Sequence, residues 1–389
     1  MKKLLFTVLI AASCSACITS KTGKTLQFSA KQTLALYNSV KDLEGRLPRS
    51  IDKSGNLVTS DDAYWCSGFT AGTLWYLYEY TQGDSLKIAA EMLTKRIERQ
   101  QYTTNNHDVG FMIYCSYGNA YRLTGSHEYK TVIVNAARSL ATRFNPAFGV
   151  IRSWDNPQWK FPVIIDNMMN LELLCEATRL SGDSSFFKIA VSHADTTMKY
   201  HFRPDGSSCH VVDYGVRKNG VYRQQTHQGY ADTSAWARGQ AWALYGYTMM
   251  FRETHKPEYL EQAIKIANFI INNPRLPADK IPYWDFDVPN IPYALRDASA
   301  GAIICSALIE LSAFTEKMLS EKYLEIAKQQ IKTLASFQYL ANVNTNGNFI
   351  LKHSVGHFPN NSEIDVPLTY ADYYFVEALM RMKKLKIKQ

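Results

Sequence analysis

The chain has 389 residues, of which 46% are hydrophobic and 20% charged. That is too apolar for a disordered chain and long enough to bury a large core. Lys and Arg number 43 against 35 Asp and Glu, a net charge of +8, which suits an anionic partner but does not by itself indicate nucleic acid. The 24 Tyr, 18 Phe and 7 Trp form a surplus of the kind that lines carbohydrate sites, although most such rings belong to the core.

Met1-Lys2-Lys3, the apolar run Leu4 to Ala12 and the small residues after it read as a secretory signal over 1–17. The run is too short to span a bilayer as a permanent helix. Cys14 follows Ala11-Ala12-Ser13, and Cys17 follows Ser15-Ala16; either resembles a bacterial lipoprotein cleavage site. Export to the periplasm is expected, with any membrane contact made through an N-terminal lipid. Plain cleavage without lipidation is the alternative. Residues 25–389 are then expected to form one catalytic domain. Its five cysteines, Cys66, Cys115, Cys175, Cys209 and Cys305, make no CxxC pair and read as buried thiols.

Helical spacing of apolar residues predicts twelve helices over 29–44, 64–81, 84–101, 109–123, 127–143, 164–180, 184–200, 232–253, 257–273, 297–314, 319–338 and 369–385. Short extended pieces are expected near 149–162, 208–224 and 346–353, where Gly, Pro and polar residues gather. Gln82-Gly83-Asp84, Thr124-Gly125-Ser126 and Ser181-Gly182-Asp183 punctuate helix pairs, with Gly ending one helix and Ser or Asp capping the next. Six αα-hairpins closed into a ring give an all-α fold, an (α/α)6 barrel. An open helical solenoid is the alternative.

A ring would gather the starts of alternate helices at one mouth. Those segments hold Trp65, His107-Asp108, Asp166-Asn167, Trp236 to Trp242, Asp297 and Asp372. Converging helix N-termini would make the mouth electropositive. Asp166 interrupts the apolar stretch Val163 to Leu171, where desolvation raises a carboxyl pKa and suits a general acid. Asp108 would bring a second carboxylate, as glycosidic chemistry requires. Arg238 and Trp242 lie four apart on one helical face; Arg can grip a carboxylate in bidentate fashion and Trp can stack on a sugar. Each has a plainer reading: the two Asp as N-caps, and Arg238 in a buried salt bridge beside a core Trp242. His107, His210 and His227 read as sugar hydrogen-bond donors and lack the spacing of a metal site. No P-loop, dinucleotide fingerprint, GxSxG or HExxH occurs.

Trp65-Cys66-Ser67-Gly68-Phe69, His107-Asp108-Val109-Gly110-Phe111, Ile165-Asp166-Asn167-Met168-Met169-Asn170, Trp236-Ala237-Arg238-Gly239-Gln240-Ala241-Trp242 and Ala371-Asp372-Tyr373-Tyr374, in that order, resemble the unsaturated glucuronyl hydrolases, glycoside hydrolase family 88. The resemblance implies the (α/α)6 barrel again. It implies an enzyme that hydrates the double bond of a 4,5-unsaturated uronic acid at the non-reducing end of lyase-generated oligosaccharides. The hemiketal so formed opens and releases the sugar. Asp166 matches the general acid/base, which protonates C4 and activates water for C5. Asp108 matches the second carboxylate, which holds sugar hydroxyls and keeps Asp166 protonated by like-charge repulsion. His107, His210, Gln228, Arg238 and Trp242 match substrate-binding positions, and Trp65 a stacking ring. Ser354, in Lys352 to His357, matches a loop that contacts the rest of the substrate; His357 and Pro359 depart from the sulfate-binding version of that loop. No metal or cofactor is implied. Glycosaminoglycan fragments are the first substrate class, unsaturated galacturonyl-rhamnose from pectin the second. A non-catalytic glycan-binding lipoprotein would lack a carboxylate, whereas both are present.

Overall fold

In the computed structural model, residues 21–215 and 221–387 are described; the signal segment over 1–17, with Cys14 and Cys17, lies outside the described residues. Helix α1 covers 21–38. The others are α2 (Gly68–Thr81), α3 (Asp84–Arg96), α4 (Asn119–Thr124), α5 (His127–Ala141), α6 (Leu171–Ser181), α7 (Ser184–Tyr200), α8 (Ala237–Thr254), α9 (Pro257–Asn272), α10 (Ala298–Leu311), α11 (Lys317–Leu334) and α12 (Thr369–Ile387).

These helices form two concentric layers. A π-helix, Gly110–Gly118, runs straight into α4. The inner ring passes from α2 to the π-helix, α6, α8, α10 and α12, and closes back on α2. Each inner helix but the last leads through a short turn into an outer one: α3, α5, α7, α9 and α11. Helix α1 completes the outer layer. Its Gln32 amide donates to the Thr345 carbonyl, and its Tyr37 hydroxyl reaches Met92 on α3. The composition explains the layering. Every residue of α8 from Ala237 to Met250 is buried, and α10 is buried throughout except at Glu310, as an all-round apolar helix must be. The outer α5, α9 and α11 each bury a single stripe. The barrel predicted from the hairpin count is therefore the fold observed.

The turns follow the expected chemistry in part. Gly125 and Gly182 take the left-handed conformation that ends α4 and α6. At the first turn, however, Gln82 (φ 56°) holds that position, and Gly83 opens α3 in extended conformation. Asp183 caps α7 by accepting from the Ser185 amide.

The helix boundaries depart from expectation at informative places. The first helix is observed over 21–38, not 29–44. The predicted start at 232 moves to Ala237, because the Asp232 and Ser234 side chains bond loop backbone at Thr226 and Ala231 instead of joining a helix. The segment predicted as helix from 164 begins as a 3-10 turn, Ile165–Asn170. Asn170 Oδ1 accepts from the Phe111 amide (3.0 Å) at the start of the π-helix; side chains that insert there favour the wider π form.

The loops at the inner-helix starts carry the strands. β1 (Leu47–Ile51) and β2 (Leu57–Ser60) form a hairpin, as do β3 (Phe144–Asn145) and β4 (Val150–Ile151). β5 (Pro162–Ile164), β6 (Val211–Tyr214) and β7 (Val221–Gln225) make an antiparallel sheet, and β8 (Ser354–His357) pairs with β9 (Ser362–Val366). All five cysteines of the described residues are free and buried. Among the described residues no helix is long and apolar enough to cross a membrane.

Inner helices approach closely where glycine permits it. A Cβ at Gly68 would stand 2.2 Å from the Met112 carbonyl oxygen. Gly68→Ala is therefore expected to destabilise the fold by about 1–3 kcal/mol, read as a lower unfolding midpoint in calorimetry with the helical dichroism of the folded state unchanged.

Candidate active site

The mouth holds a pocket of about 230 Å³ lined by Trp65, His107, Asp108, Trp154, Ile164, Asp166, His227, Gln228, Arg238 and His357. Half of them come from the segments that the ring was expected to bring together. Trp65 precedes α2, His107 and Asp108 precede the π-helix, Asp166 opens the 3-10 turn, and Arg238 lies in the first turn of α8. A larger cavity at the far end of the ring is lined by Arg122, Arg179, Arg252, Arg381, Glu172 and Glu377 among others. Its charges are committed to one another: Arg252 binds Glu172, Glu253 and Glu310, and Arg381 binds Glu310 and Glu377.

Asp166 follows β5 directly, so its carboxyl is carried into the pocket floor from a strand whose other residues are apolar. Burial pushes its pKa up to about 7; Asp108 pushes it further in that direction and Arg238 opposes. Asp108 is also raised to about 7 by burial, against Arg143. Both groups are therefore neutral acids under mildly acidic conditions.

Each carboxyl has a histidine beside it. His107 Nε2 is 3.3 Å from Asp108 Oδ1, and His210 Nε2 is 3.7 Å from Asp166 Oδ2. Burial lowers the pKa of His107 to about 3 and holds that of His210 well below its usual value, so both rings are uncharged. Among the described residues, His107 Nε2, His210 Nε2, Asp166 Oδ2 and the Trp242 indole nitrogen are buried atoms with no hydrogen-bond partner. The Trp242 N–H nevertheless favours the charged form of Asp166 weakly; it lies near the carboxyl without closing a bond. Unmet polar groups gathered at one spot mark a place built for a ligand.

Three predicted binding residues sit as expected at the wall. Trp65 is half-buried against Phe69, Phe111 and Tyr370. The Gln228 amide donates to the Gly356 carbonyl at 3.2 Å. His107 closes the side next to Asp108. His210 lies just behind the lining, and its ring packs on Trp236 at 4.6 Å.

Two residues are corrected. Trp242 is fully buried between Phe111 and Tyr374, so neither face is open for a sugar and the expected stacking does not occur. Ser354 is likewise fully buried at the start of β8 and lines no part of the pocket; the neighbouring His357 reaches it instead. Arg238 acquires a duty closer to its plainer reading. Its guanidinium binds Asp297 (3.2 Å) and the carbonyls of Val355 and Gly356. It ties α8 to α10 and β8 while still facing the pocket. Asp297 caps α10 through Ser299, and Asp372 accepts from the Ile350 and Leu351 amides (2.8 Å each). Both are braces of the mouth.

Trp154 was not singled out from the sequence. Its ring meets His227 at 5.3 Å and Trp159 at 5.1 Å, making an aromatic wall of the pocket. The available signal was Ser153-Trp154-Asp155-Asn156-Pro157-Gln158-Trp159: two tryptophans in a polar, proline-containing loop, where apolar packing does not demand them. Among the described residues no group of three or more His, Cys, Asp or Glu could hold a metal ion.

Comparison with known proteins gives the same picture at larger scale. The model of Glycosyl Hydrolase Family 88 matches residues 40–385. An unsaturated glucuronyl hydrolase of Formosa agariphila is 44% identical over 406 aligned residues, covering 100% of both chains. A crystal structure of an unsaturated glucuronyl hydrolase specific for heparin superposes with a TM-score of 0.92 at 46% identity, over 95% of this chain and 98% of that one. An Asp-to-Asn variant of the Streptococcus agalactiae unsaturated glucuronyl hydrolase, complexed with dGlcA-GalNAc6S, superposes at 0.79 with 26% identity, over 93% and 91%.

Arg238→Ala would leave the buried Asp297 without its cation and would release the carbonyls of β8. The expected cost is about 3–5 kcal/mol of stability, measured by denaturant unfolding, together with a raised KM because Gln228 and His357 lose the strand they lean on.

Proposed function

The chain belongs to Glycosyl Hydrolase Family 88 and is a glycoside hydrolase, and we propose on that premise that it removes 4,5-unsaturated uronic acid from the non-reducing end of glycosaminoglycan oligosaccharides left by polysaccharide lyases. The observation that carries this reading is the pair of carboxyls, the buried Asp166 and the partly buried Asp108, that line one aromatic-walled pocket and are both raised by desolvation. Heparin-type fragments are the first choice, supported by the relative specific for heparin at 46% identity.

In the proposed reaction the substrate is an enol ether bearing a carboxylate. Asp166 hands its proton to C4, and positive charge develops at C5. Water adds there and returns a proton to Asp166. The product is a hemiketal that opens and frees the neighbouring sugar. Protonation of carbon needs an acid that is neutral yet close in strength to the working pH, and desolvation supplies that in Asp166. Asp108 accepts or donates to the sugar hydroxyls, and Trp65 and Trp154 supply apolar faces on which a sugar ring can lie. Residues 25–389 would form one catalytic domain behind a lipoprotein-type signal over 1–17; the basic start, short apolar run and small residues before Cys14 and Cys17 support export to the periplasm or its membrane.

The purified protein is tested on a panel of unsaturated disaccharides from heparin, chondroitin and hyaluronan, sulfated and unsulfated, beside unsaturated galacturonyl-rhamnose. Loss of the double-bond absorbance on the glycosaminoglycan members is expected; turnover confined to galacturonyl-rhamnose would overturn the substrate class. Asp166→Asn is expected to lower kcat by about three orders of magnitude or more with an unchanged unfolding midpoint, since removing the acid removes a contribution of that size. Because both carboxyl pKa values are raised, the acid form exists below about pH 7 and is lost as pH rises through it. kcat/KM is therefore expected to hold on the acid side and to fall above neutrality.

A further inference from the structure

The two histidines beside the carboxyls, His107 and His210, are locked in opposite tautomers. The Ser153 carbonyl lies 3.0 Å from His107 Nδ1. A carbonyl only accepts, so Nδ1 carries the proton and Nε2 turns a lone pair toward Asp108. At His210 the order is reversed. Nδ1 accepts from the backbone amides of His227 and Gln228, both at 3.1 Å. The proton of that neutral ring is on Nε2, which points at Asp166. The tautomers follow from the bonding network alone.

We propose that His107 and His210 are positioning residues that bias the two carboxyls in opposite senses: His107 accepts a hydrogen bond from the protonated Asp108 and so favours that acid neutral, whereas His210 offers an N–H that favours Asp166 as a carboxylate. The inference deepens the hydratase-type reading above and rests on it. In the form that turns over, both acids carry their protons. When Asp166 transfers its proton to carbon it becomes the single charge of the pair. The His210 N–H, 3.7 Å away before reaction, closes on the new carboxylate, and the bond stabilises the transition state as well as the intermediate. Asp108 stays protonated on His107, so two adjacent carboxylates never have to coexist with the carboxylate of the substrate. Water then returns the proton, and the cycle balances. The sequence-based expectation of like-charge repulsion between the two Asp applies only above the pH at which Asp108 also ionises.

Other charges face these groups. Arg143 acts on His107 and Asp108. Arg238 acts on Asp166 and His210, and His227, His357 and His201 also face His210. None of them contacts the His107–Asp108 or His210–Asp166 gap with a hydrogen bond, so the gaps can be tested singly.

Asn is the discriminating replacement at both sites. Its side-chain amide reaches where Nδ1 sits and nothing reaches where Nε2 sat. His107→Asn keeps a donor for the Ser153 carbonyl and deletes the acceptor for Asp108. His210→Asn keeps an acceptor for the two amides and deletes the donor to Asp166. Without its acceptor Asp108 ionises earlier, so the alkaline limb of kcat/KM should move to lower pH. Without its donor Asp166 holds its proton longer, so the limb should move to higher pH, with kcat reduced about tenfold and KM changed less. Shifts of about one pH unit each correspond to the net worth of one hydrogen bond. A residue that only fills space would lower activity without opposite displacements. Shifts in the same direction, or none, in variants that still turn over would overturn the proposal. Independently of turnover, ¹⁵N-histidine spectra of the unsubstituted protein, assigned by signals lost in the two variants, should show Nδ1–H for His107 and Nε2–H for His210. The reverse pattern would also overturn it. If the unsubstituted protein turns over no unsaturated uronide, the functional reading fails, whatever tautomers the spectra show.

Discussion

Desolvation of Asp166 is the constraint on which the site depends. A carboxyl in water is ionised at neutral pH and cannot protonate carbon. At the pocket it lies beside Ile164 and the buried Trp242, and the charged form loses its hydration. The cost of that burial is met by the closed inner ring, which brings six helix starts together and leaves a pocket only about 230 Å³ in volume. An open solenoid would leave the same residue at a solvated edge, with an ordinary acidity and no catalytic use.

Closure in turn depends on polar ties across the mouth. Arg238 joins α8 to α10 through Asp297 and to β8 through two carbonyls. Asp372 on α12 holds the chain at Ile350 and Leu351, and Asp285 holds the 226–236 loop at Tyr230 and Ser234. These groups are deeply buried, and each is satisfied by donors or acceptors from another element. They set the position of Gln228 and His357, so the mouth has one arrangement rather than several.

How much of this was legible in the sequence depends on whether the signal was local. Helical periodicity and the turns at Gly125 and Gly182 are local, and they yielded the hairpins and the ring. The convergence of Trp65, Asp108, Asp166 and Arg238 followed from the ring's symmetry, because each stands at the start of an inner helix. The exposure of a given aromatic was not legible. Trp242 and Trp154 are equally amphipathic on paper, yet one packs under Phe111 and the other stands in the wall, and only tertiary contacts distinguish them. Ser354 failed for the same reason: the pairing of β8 with β9 is irregular between Ser354 and Val355, and His357 rather than Ser354 faces the pocket. The histidine tautomers were least legible, since the carbonyl that decides His107 belongs to Ser153, 46 residues away.

The two ends of the barrel divide the electrostatic work. Helix N-termini converge on the mouth, and their positive dipole ends favour an anionic substrate there. The C-terminal ends gather at the opposite face, where negative dipole ends would repel one another. Arg179, Arg252 and Arg381 stand at that face and bind Glu172, Glu253, Glu310 and Glu377 in one connected network. What remains at the mouth is Arg238, half committed to the scaffold, and a field of backbone dipoles. Arg238 pulls the Asp166 pKa down, but desolvation outweighs it and keeps the acid's pKa from falling back to an ordinary value.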